Sequence, residues 1–250
     1  MVGHAVAMTN SDLWDHEIAA RYDESSAFMF SSEVLDPAVD FLADLAGQGA
    51  ALELAIGTGR VAIPLTERGV SVSGIELSQP MVEQLHKKRP DISVVVADMA
   101  TATVDGQFSL VYLVWNSIGN LRTQAEQVAC FRNAARHLVP GGRFVVEPWV
   151  PGIRRLPPGQ VAVPFHVGSH HVGLDTYDMT TQQGTSRHFR RHDDGTVTYE
   201  ASNFRYIWPA ECDLMAQLAG LDLERRSADW HGSPFTNDSE NHISVWRKPA

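Results

Sequence analysis

The sequence has few cysteines and no long apolar run. It holds two cysteines among 250 residues, and Cys130 and Cys212 lie far apart in segments with helical patterns. We therefore expect reduced, buried thiols in a cytoplasmic protein, with no disulfide framework. No apolar run is long enough to span a membrane, and no signal-peptide pattern precedes the first predicted helix, so we expect no membrane association.

An excess of basic residues is also lacking. The formal net charge is −10, from 20 lysines and arginines against 30 acids. A nucleic-acid-binding domain typically has a basic face, so this balance argues against a nucleic-acid partner. Residues 150–208 contain no lysine. The acidic balance and this segment without lysine together disfavour an RNA or protein substrate.

A glycine-containing turn follows the first strongly predicted strand. The run Ala51–Ile56 is apolar except for Glu53, as in a strand buried on both faces, and Gly57 and Gly59 end it. Such a turn into a helix lets a ligand lie against bare backbone beside the helix N-terminus. The third glycine of the dinucleotide fingerprint is missing, so the turn alone is compatible with a nucleotide-type site or with a merely tight connection.

Acidic residues lie at the ends of the next two predicted strands. Glu76 ends the run Val70–Ile75, and Asp98 follows Val94–Ala97. Glu76 lies about 20 residues past the glycine turn, where open α/β sheets place a carboxylate on a ribose. Because ligands of such sheets bind at the carboxyl ends of the strands, the two acids and the turn together predict a nucleotide-type site.

Helices and strands alternate over most of the chain. We predict a first helix over Ser11–Asp23, capped by Ser11, and a second over Ser31–Ala46. Later helices are predicted over 124–138 and 209–219, and later strands over 108–115, 143–147, 221–228 and 242–247. This alternation predicts an α/β fold, a doubly wound and mostly parallel sheet with helices on both faces.

Residues 150–208 depart from that alternation. Prolines open the segment, and extended runs at 172–181, 185–192 and 196–208 are separated by hairpin-type turns. We predict a small antiparallel sheet inserted after the fifth strand. The segment is rich in histidine, but adjacent His170 and His171 would point to opposite faces of a strand, so we expect no metal site.

Several motifs resemble those of the class I S-adenosylmethionine (SAM) dependent methyltransferases. Residues 53–59 (ELAIGTG) resemble their first motif, with Ala55 in place of the first glycine. Residues 76–81 (ELSQPM) resemble the second, 98–99 (DM) the third, 113–117 (LVWNS) the fourth, and 138–143 (LVPGGR) the turn before the fifth strand. The resemblance extends from about residue 14 to residue 248 and implies a seven-stranded Rossmann-like fold that binds SAM.

The resemblance also implies site residues. Glu76 would accept hydrogen bonds from both ribose hydroxyls, Asp98 would accept one from the adenine amino group, and Glu53 would lie near the ammonium of the donor. Asn116 and Tyr22 are the catalytic candidates. The complete predicted cofactor set is Tyr22, Glu53, Ala55, Gly57, Gly59, Arg60, Glu76, Leu77, Met81, Asp98, Met99 and Trp115.

The insertion resembles the β-sheet cap of amino-sugar and lincosamide N-methyltransferases. Some members of that group have a His or Tyr suited to proton transfer where this chain has Asn120, and an asparagine cannot act as a base near neutral pH. The acceptor would be a small molecule with an amine or hydroxyl nucleophile, and methyl transfer would serve natural-product biosynthesis. Its predicted binding residues are Trp14, Trp115, Asn120, Trp149 and Phe165.

The predicted organisation has three parts. Residues 1–149 would form an N-terminal lid and the SAM-binding core, 150–208 the substrate cap, and 209–250 the rest of the core sheet. A homo-oligomer formed through the inserted sheet is a further expectation. Two other functions stay open from the sequence, a nicotinamide-dependent oxidoreductase and a non-catalytic SAM-binding module.

Overall fold

The computed structural model of the chain describes residues 14–250. Its helices are α1 His16–Ser25, α2 Ser32–Ala46, α3 Ala62–Glu67, α4 Gln79–Lys88, α5 Gln124–His137 and α6 Pro209–Leu218. Its strands are β1 Ala51–Leu54, β2 Val72–Glu76, β3 Ser93–Val96, β4 Phe108–Leu113, β5 Leu138–Val146, β6 Ala162–Val167, β7 His171–Asp178, β8 Gln183–Arg191, β9 Val197–Arg205, β10 Asp222–Ser227 and β11 Ile243–Arg247.

Seven strands form the main sheet, in the order β10-β11-β5-β4-β1-β2-β3. Strands β1 to β5 run parallel to one another, and β11 is antiparallel to both β5 and β10. The strand order reverses direction between β1 and β4, which opens a crevice at the carboxyl ends of these strands. This topology confirms the predicted fold class.

Two apolar clusters cover the two faces of the main sheet. Alternate residues of a strand point to opposite faces, so Leu52 and Val111 enter one cluster while Ala51 and Tyr112 enter the other. The first cluster contains edge-to-face contacts of Phe131 with Phe144 and Trp246. Because both faces of the central strands are buried, β1 is an almost unbroken apolar run, as the sequence indicated.

Strands β6 to β9 form a separate antiparallel sheet in chain order, which we call the inserted sheet. The sequence predicted three of its strands but not β6. Pro164 lies within β6, and a proline cannot donate a ladder hydrogen bond. The strand is tolerated because it lies at the edge of the sheet and bulges between Pro164 and His166.

The first helix begins later than predicted. Within the described residues α1 starts at His16, and the carboxylate of Asp15 caps it by accepting hydrogen bonds from the backbone N–H groups of Glu17 and Ile18. The predicted capping residue, Ser11, lies outside the described residues. No helix among residues 14–250 is both long and apolar enough to cross a membrane.

Candidate active site

The turn after β1 exposes its backbone at the crevice. Ala55 and Gly57 both have positive φ, 57° and 56°. For alanine this conformation is strained, and it stands at the position where the resembling motif has glycine. A Cβ added at Gly57 would meet nothing within 4 Å. The turn therefore leaves open backbone against which a ligand can lie.

Hydrogen bonds to Glu76 hold this turn against the end of β2. The Glu76 carboxylate accepts a hydrogen bond from the Gly57 N–H at 2.8 Å and another from the Ser78 N–H at 2.9 Å. The residue is only 7 % exposed. Burial raises the pKa of Glu76, while the backbone N–H groups of Ser78 and Gly57 lower it.

Glu53 lies in the middle of β1, on the face covered by α2 and α3. The hydroxyl of Tyr112 on β4 donates to its carboxyl at 2.8 Å. Burial raises the pKa of Glu53 to about 8, although Tyr112, Arg60 and the backbone N–H of Ala62 oppose that rise. A carboxyl in this state can take up a neighbouring cation by releasing its proton.

Helix α1 lies over the turn and along α4. Asp23 accepts hydrogen bonds from the Thr58 hydroxyl at 2.5 Å and from the Lys88 ammonium at 2.5 Å. The hydroxyl of Ser78 donates to the backbone carbonyl of Trp14. These bonds explain why α1 stays at the crevice, although its own sequence shows only an amphipathic pattern.

Tyr22 on α1 lies close enough to Arg60, Glu76 and Glu53 for their charges to change the pKa of its hydroxyl. Burial raises its pKa, Arg60 lowers it, and the charges of Glu76 and Glu53 raise it further. Its ring contacts Trp14 edge to face, with centroids 5.4 Å apart. The structure therefore brings together Tyr22 on α1, Trp14 just before that helix, and the charged residues beside the glycine turn.

The segment after β4 turns sharply at Trp115 and Asn116, which both have φ of 55°. Glu147, just past β5, holds this turn: its carboxylate accepts hydrogen bonds from the Trp115 N–H at 2.7 Å and from the indole N–H of Trp230 at 2.9 Å. The carbonyl of Glu147 accepts the Asn116 N–H at 2.7 Å. Burial raises the pKa of Glu147.

Asn116 extends this connection to Trp149, whose backbone N–H donates to Asn116 Oδ1 at 3.2 Å. A cavity of about 50 Å³ lies between Arg60, Trp115 and Glu147. Glu147 was not among the predicted site residues. Its position at the end of the fifth strand, next to a proline, was the only signal in the sequence.

The other predicted residues have more varied surroundings. Asp98 accepts a hydrogen bond from the Ala100 N–H at 2.7 Å after β3. Met81 and Met99 are buried, whereas Leu77 and Trp149 are partly exposed. Asn120 ends the turn Ser117–Asn120 and is half-buried. Phe165 stands on the inserted sheet, where its ring contacts that of His188 at 5.3 Å.

The donor set at the crevice fits SAM. Carboxyls lie at the ends of the two strands that should contact the ribose and the adenine, and the turn at Gly57 would leave room for the amino-acid part. Arg60 offers the positive charge that a carboxylate requires, and Glu53 can accept an ammonium once it releases its proton. Among residues 14–250 no cluster of three or more His, Cys, Asp or Glu is arranged to hold a metal ion.

Comparisons with known proteins identify the family of the chain. A methyltransferase domain family matches residues 51–142. The solved structure of the CcbJ methyltransferase from Streptomyces caelestis is 34% identical, superposes with a TM-score of 0.80, and the alignment covers 93% of this chain and 96% of that one. The chain belongs to the SAM-dependent methyltransferases. SAM is its cofactor, and this membership replaces the nicotinamide-dependent and non-catalytic alternatives.

Two of the relatives by sequence are named as methyltransferases of amino groups. The cypemycin N-terminal methyltransferase of a Streptomyces species is 28% identical over 245 residues, which are 95% of this chain and 98% of that protein. The dTDP-3-amino-3,4,6-trideoxy-alpha-D-glucopyranose N,N-dimethyltransferase of Streptomyces venezuelae is 37% identical over 98 residues, only 39% of this chain and 41% of that protein.

Proposed function

We propose that this methyltransferase acts on an amine nitrogen of a small organic molecule of the natural-product type. The relative that aligns along nearly the whole chain is named as an N-terminal methyltransferase, and the one that aligns over 98 residues is named as an N,N-dimethyltransferase of an amino sugar. The acceptor would bind between α1 and the inserted sheet.

The observation that supports this proposal is that aromatic residues of the inserted sheet lie against the segments that follow β4 and β5. Tyr177 and Phe204 lie on one face of the inserted sheet with ring centroids 6.0 Å apart. A Cβ at Gly152, after β5, would lie 2.8 Å from Tyr177 Oη, and one at Gly119, after β4, would lie 3.5 Å from Phe204 Cβ. Pockets for small molecules have such mostly apolar walls with few polar groups.

The roles proposed for the cofactor residues follow their positions. Glu76 binds the ribose hydroxyls and Asp98 the adenine amino group, while Leu77, Met81 and Met99 pack the ring. The amino-acid part of SAM lies against the backbone of residues 55–59, with Glu53 and Arg60 on its charges. Tyr22 and Trp115 cover the site.

Once bound, SAM supplies a methyl group that is activated for nucleophilic attack by the adjacent sulfonium. The protein's part is to hold the acceptor in line with that group and to exclude water. Asn116 orients the acceptor nucleophile. Its side chain is held in position for this role because Glu147 fixes the turn that carries it. Trp14, Trp115, Asn120, Trp149 and Phe165 supply the remaining acceptor contacts.

We also propose the division of the chain into residues 1–149, 150–208 and 209–250 as lid with core, substrate cap and completion of the core. The separate hydrogen bonding of the inserted sheet supports it. A cytoplasmic location is supported by the free, buried Cys130 and Cys212. Burial raises the pKa of both thiols, which disfavours their oxidation.

The test of the function is a set of matched acceptors that differ at one functional group. The purified enzyme is incubated with methyl-labelled SAM and, separately, with 3-amino-3-deoxyglucose or glucose and with a short peptide or its N-acetylated form. We expect label in an amine and none in its hydroxyl or acetylated counterpart. Label in a hydroxyl group, or in no member of the panel, would contradict an amine acceptor.

Homo-oligomerisation through the inserted sheet is proposed for its outer face. Val167, Val172, Phe189 and Tyr199 face one another in register, one on each strand, and all are exposed. An apolar row across a whole sheet is typical of a protein–protein contact, and a second copy would cover it symmetrically. Sedimentation equilibrium should show a dimer that Phe189→Glu converts to monomer. A monomeric wild type would refute the contact.

A further inference from the structure

The inner face of the inserted sheet, which carries Tyr177 and Phe204, holds a carboxyl that the methyl-transfer site described so far does not use. Asp175 lies two residues before Tyr177 and so on the same face, directly opposite Ser186 on β8. The Tyr177 hydroxyl donates to Asp175 Oδ2 at 3.2 Å. The same hydroxyl approaches Gly152, so Asp175 is one hydrogen bond away from the segment after β5.

Its second oxygen lacks a partner. Asp175 Oδ1 is buried and accepts no hydrogen bond, and no lysine, arginine or histidine within the described chain forms an ion pair with this residue. The buried carboxylates Glu76 and Glu147, in contrast, have hydrogen bonds on both oxygens. An unsatisfied buried acceptor costs free energy, so its persistence on a binding face points to a ligand that donates to it.

The surroundings favour a cationic donor. The carboxyl lies on its face between the ring of Tyr177 and that of Phe165, which covers Gly173 two residues away. Aromatic faces attract cations, and an ammonium would pair the otherwise unpaired charge of a buried carboxylate. A neutral hydroxyl would satisfy the oxygen but would leave the charge unpaired.

We propose that Asp175 binds the protonated amine of the acceptor and takes its proton before methyl transfer. This inference rests on the proposed amine acceptor. In the step, an N–H bond of the ammonium breaks and an O–H bond forms at Oδ1, so an ion pair becomes a neutral amine and a neutral carboxylic acid. The nitrogen lone pair released in this way is the nucleophile that methylation requires.

The direction of this proton transfer follows from the environment. Burial raises the pKa of Asp175, although the neighbouring hydroxyls of Ser186 and Tyr177 oppose that rise, so the environment shifts the proton equilibrium towards the neutral pair. The titratable and charged groups nearest on this face are Tyr177 on the same strand and His188 on β8. Four further titratable or charged residues lie beyond them, around His188: His166, His171, Arg190 and Glu200.

The test compares Asp175→Asn with Asp193→Asn, a matched control at the exposed turn between β8 and β9. For the amine that the wild type methylates best in the matched panel, we expect Asp175→Asn to lower kcat/KM at neutral pH about 10²-fold, the typical contribution of a positioned base. The deficit should shrink as the pH passes the pKa of the free amine, which then arrives neutral. The control should behave as wild type throughout.

Calorimetric binding without SAM supplies an independent measurement. The wild type should bind the amine more tightly than its hydroxyl or acetylated counterpart, and Asp175→Asn should lose that preference while binding S-adenosylhomocysteine as before. Retained preference and unchanged kcat/KM in Asp175→Asn would overturn the role of Asp175 and leave the amine function standing. A wild type that methylates no amine would overturn both.

Discussion

At the scale of single residues, the site is defined by buried carboxyls whose environments differ. Glu76 and Glu147 are satisfied by backbone or indole N–H groups. Glu53 has a hydroxyl partner only on one oxygen, and burial raises its pKa to about 8. Glu76 and Glu147 therefore hold turns in place through hydrogen bonds, whereas Glu53 holds a proton.

The protonation of Glu53 predicts how stability depends on pH. Its carboxyl has an ordinary pKa of 4.5 when unfolded and about 8 when folded. The folded state therefore holds the proton more strongly, and the stability present below pH 4.5 is lost as the pH rises towards 8. The slope from this one group is roughly 1.4 kcal/mol per pH unit.

Glu53→Gln cannot ionise and should lack this contribution. Urea unfolding measured across this pH range should show the stability of the variant relative to wild type increasing with pH and then levelling off above the folded pKa. Glu67→Gln, on the exposed side of α3, is the control and should run parallel to wild type. Parallel curves for Glu53→Gln as well would show that Glu53 is ionised in the folded protein.

Glu76 predicts a change in cofactor affinity. Loss of a charged hydrogen-bond acceptor costs about 1.5–3 kcal/mol, which is roughly a tenfold to hundredfold weaker Kd. Glu76→Ala should show this for S-adenosylhomocysteine in calorimetry. Glu76→Gln keeps one acceptor oxygen for the turn, so its Kd should lie between that of wild type and that of Glu76→Ala. An affinity equal to that of wild type in Glu76→Ala would remove Glu76 from the cofactor site.

At the scale of elements, the crevice is closed by parts that reach it from distant positions in the chain. Helix α1 is tied to the glycine turn and to α4 through Asp23. The turn at Trp115 and Asn116 is tied to the end of β5 through Glu147. Each element depends on one or two side chains, so each can be released by a single substitution.

Asp23→Ala should release α1. It removes the hydrogen bonds to Thr58 and Lys88, so we expect faster proteolysis within α1 and a several-fold weaker Kd for S-adenosylhomocysteine. Glu24→Ala changes the neighbouring exposed acid and should leave both measurements unchanged. Protection of α1 equal to that of wild type in Asp23→Ala would show that other contacts hold the helix.

Asn116 is predicted to act on the acceptor and not on the cofactor. Asn116→Ala removes the acceptor atom for the Trp149 N–H and should lower kcat about tenfold to hundredfold through misplacement of the nucleophile. Its affinity for S-adenosylhomocysteine should stay near wild type. Asn116→Gly tolerates the positive φ, so a loss of kcat in Ala but not in Gly would assign the effect to backbone strain alone.

At the scale of the whole molecule, a buried ion pair joins the inserted sheet to the core. Arg205 ends β9 and is 4 % exposed. Its guanidinium donates to Glu211 on α6 at 2.7 Å, to Gln182 at 2.8 Å, and to the side-chain oxygen of Gln127 on α5. The side-chain amide of Gln127 in turn donates to the carbonyls of Ile118 and Leu121.

Breaking this network should weaken the whole fold. Removal of one partner of a buried ion pair costs about 3–5 kcal/mol, because the other charge stays buried. Arg205→Ala should therefore lower the free energy of unfolding in urea by that amount, and Arg191→Ala, an exposed arginine of the same sheet, should not. A loss below about 1 kcal/mol in Arg205→Ala, the range typical of an exposed pair, would mean that the inserted sheet and the core are not coupled through this pair.

The sequence by itself determined the fold class and the core of the cofactor site. Strands buried on both faces favour apolar runs, and a turn with positive φ favours glycine, so β1 and the Gly57 turn could be predicted from the local sequence. The positions of Glu76 and Asp98 at the site could also be predicted from the sequence. Acids at the ends of parallel strands meet at one edge of the sheet whatever the intervening chain does.

Only the tertiary structure decided the contacts between segments far apart in the chain. The partners of Glu147, Asp23 and Arg205 lie on elements that no local pattern connects to them. The same is true of Asp175. The missing hydrogen bond on its Oδ1 arises from the packing of neighbouring strands, which the local sequence does not show. Sequence patterns record which face a residue is on, but the groups that meet it there depend on packing in three dimensions.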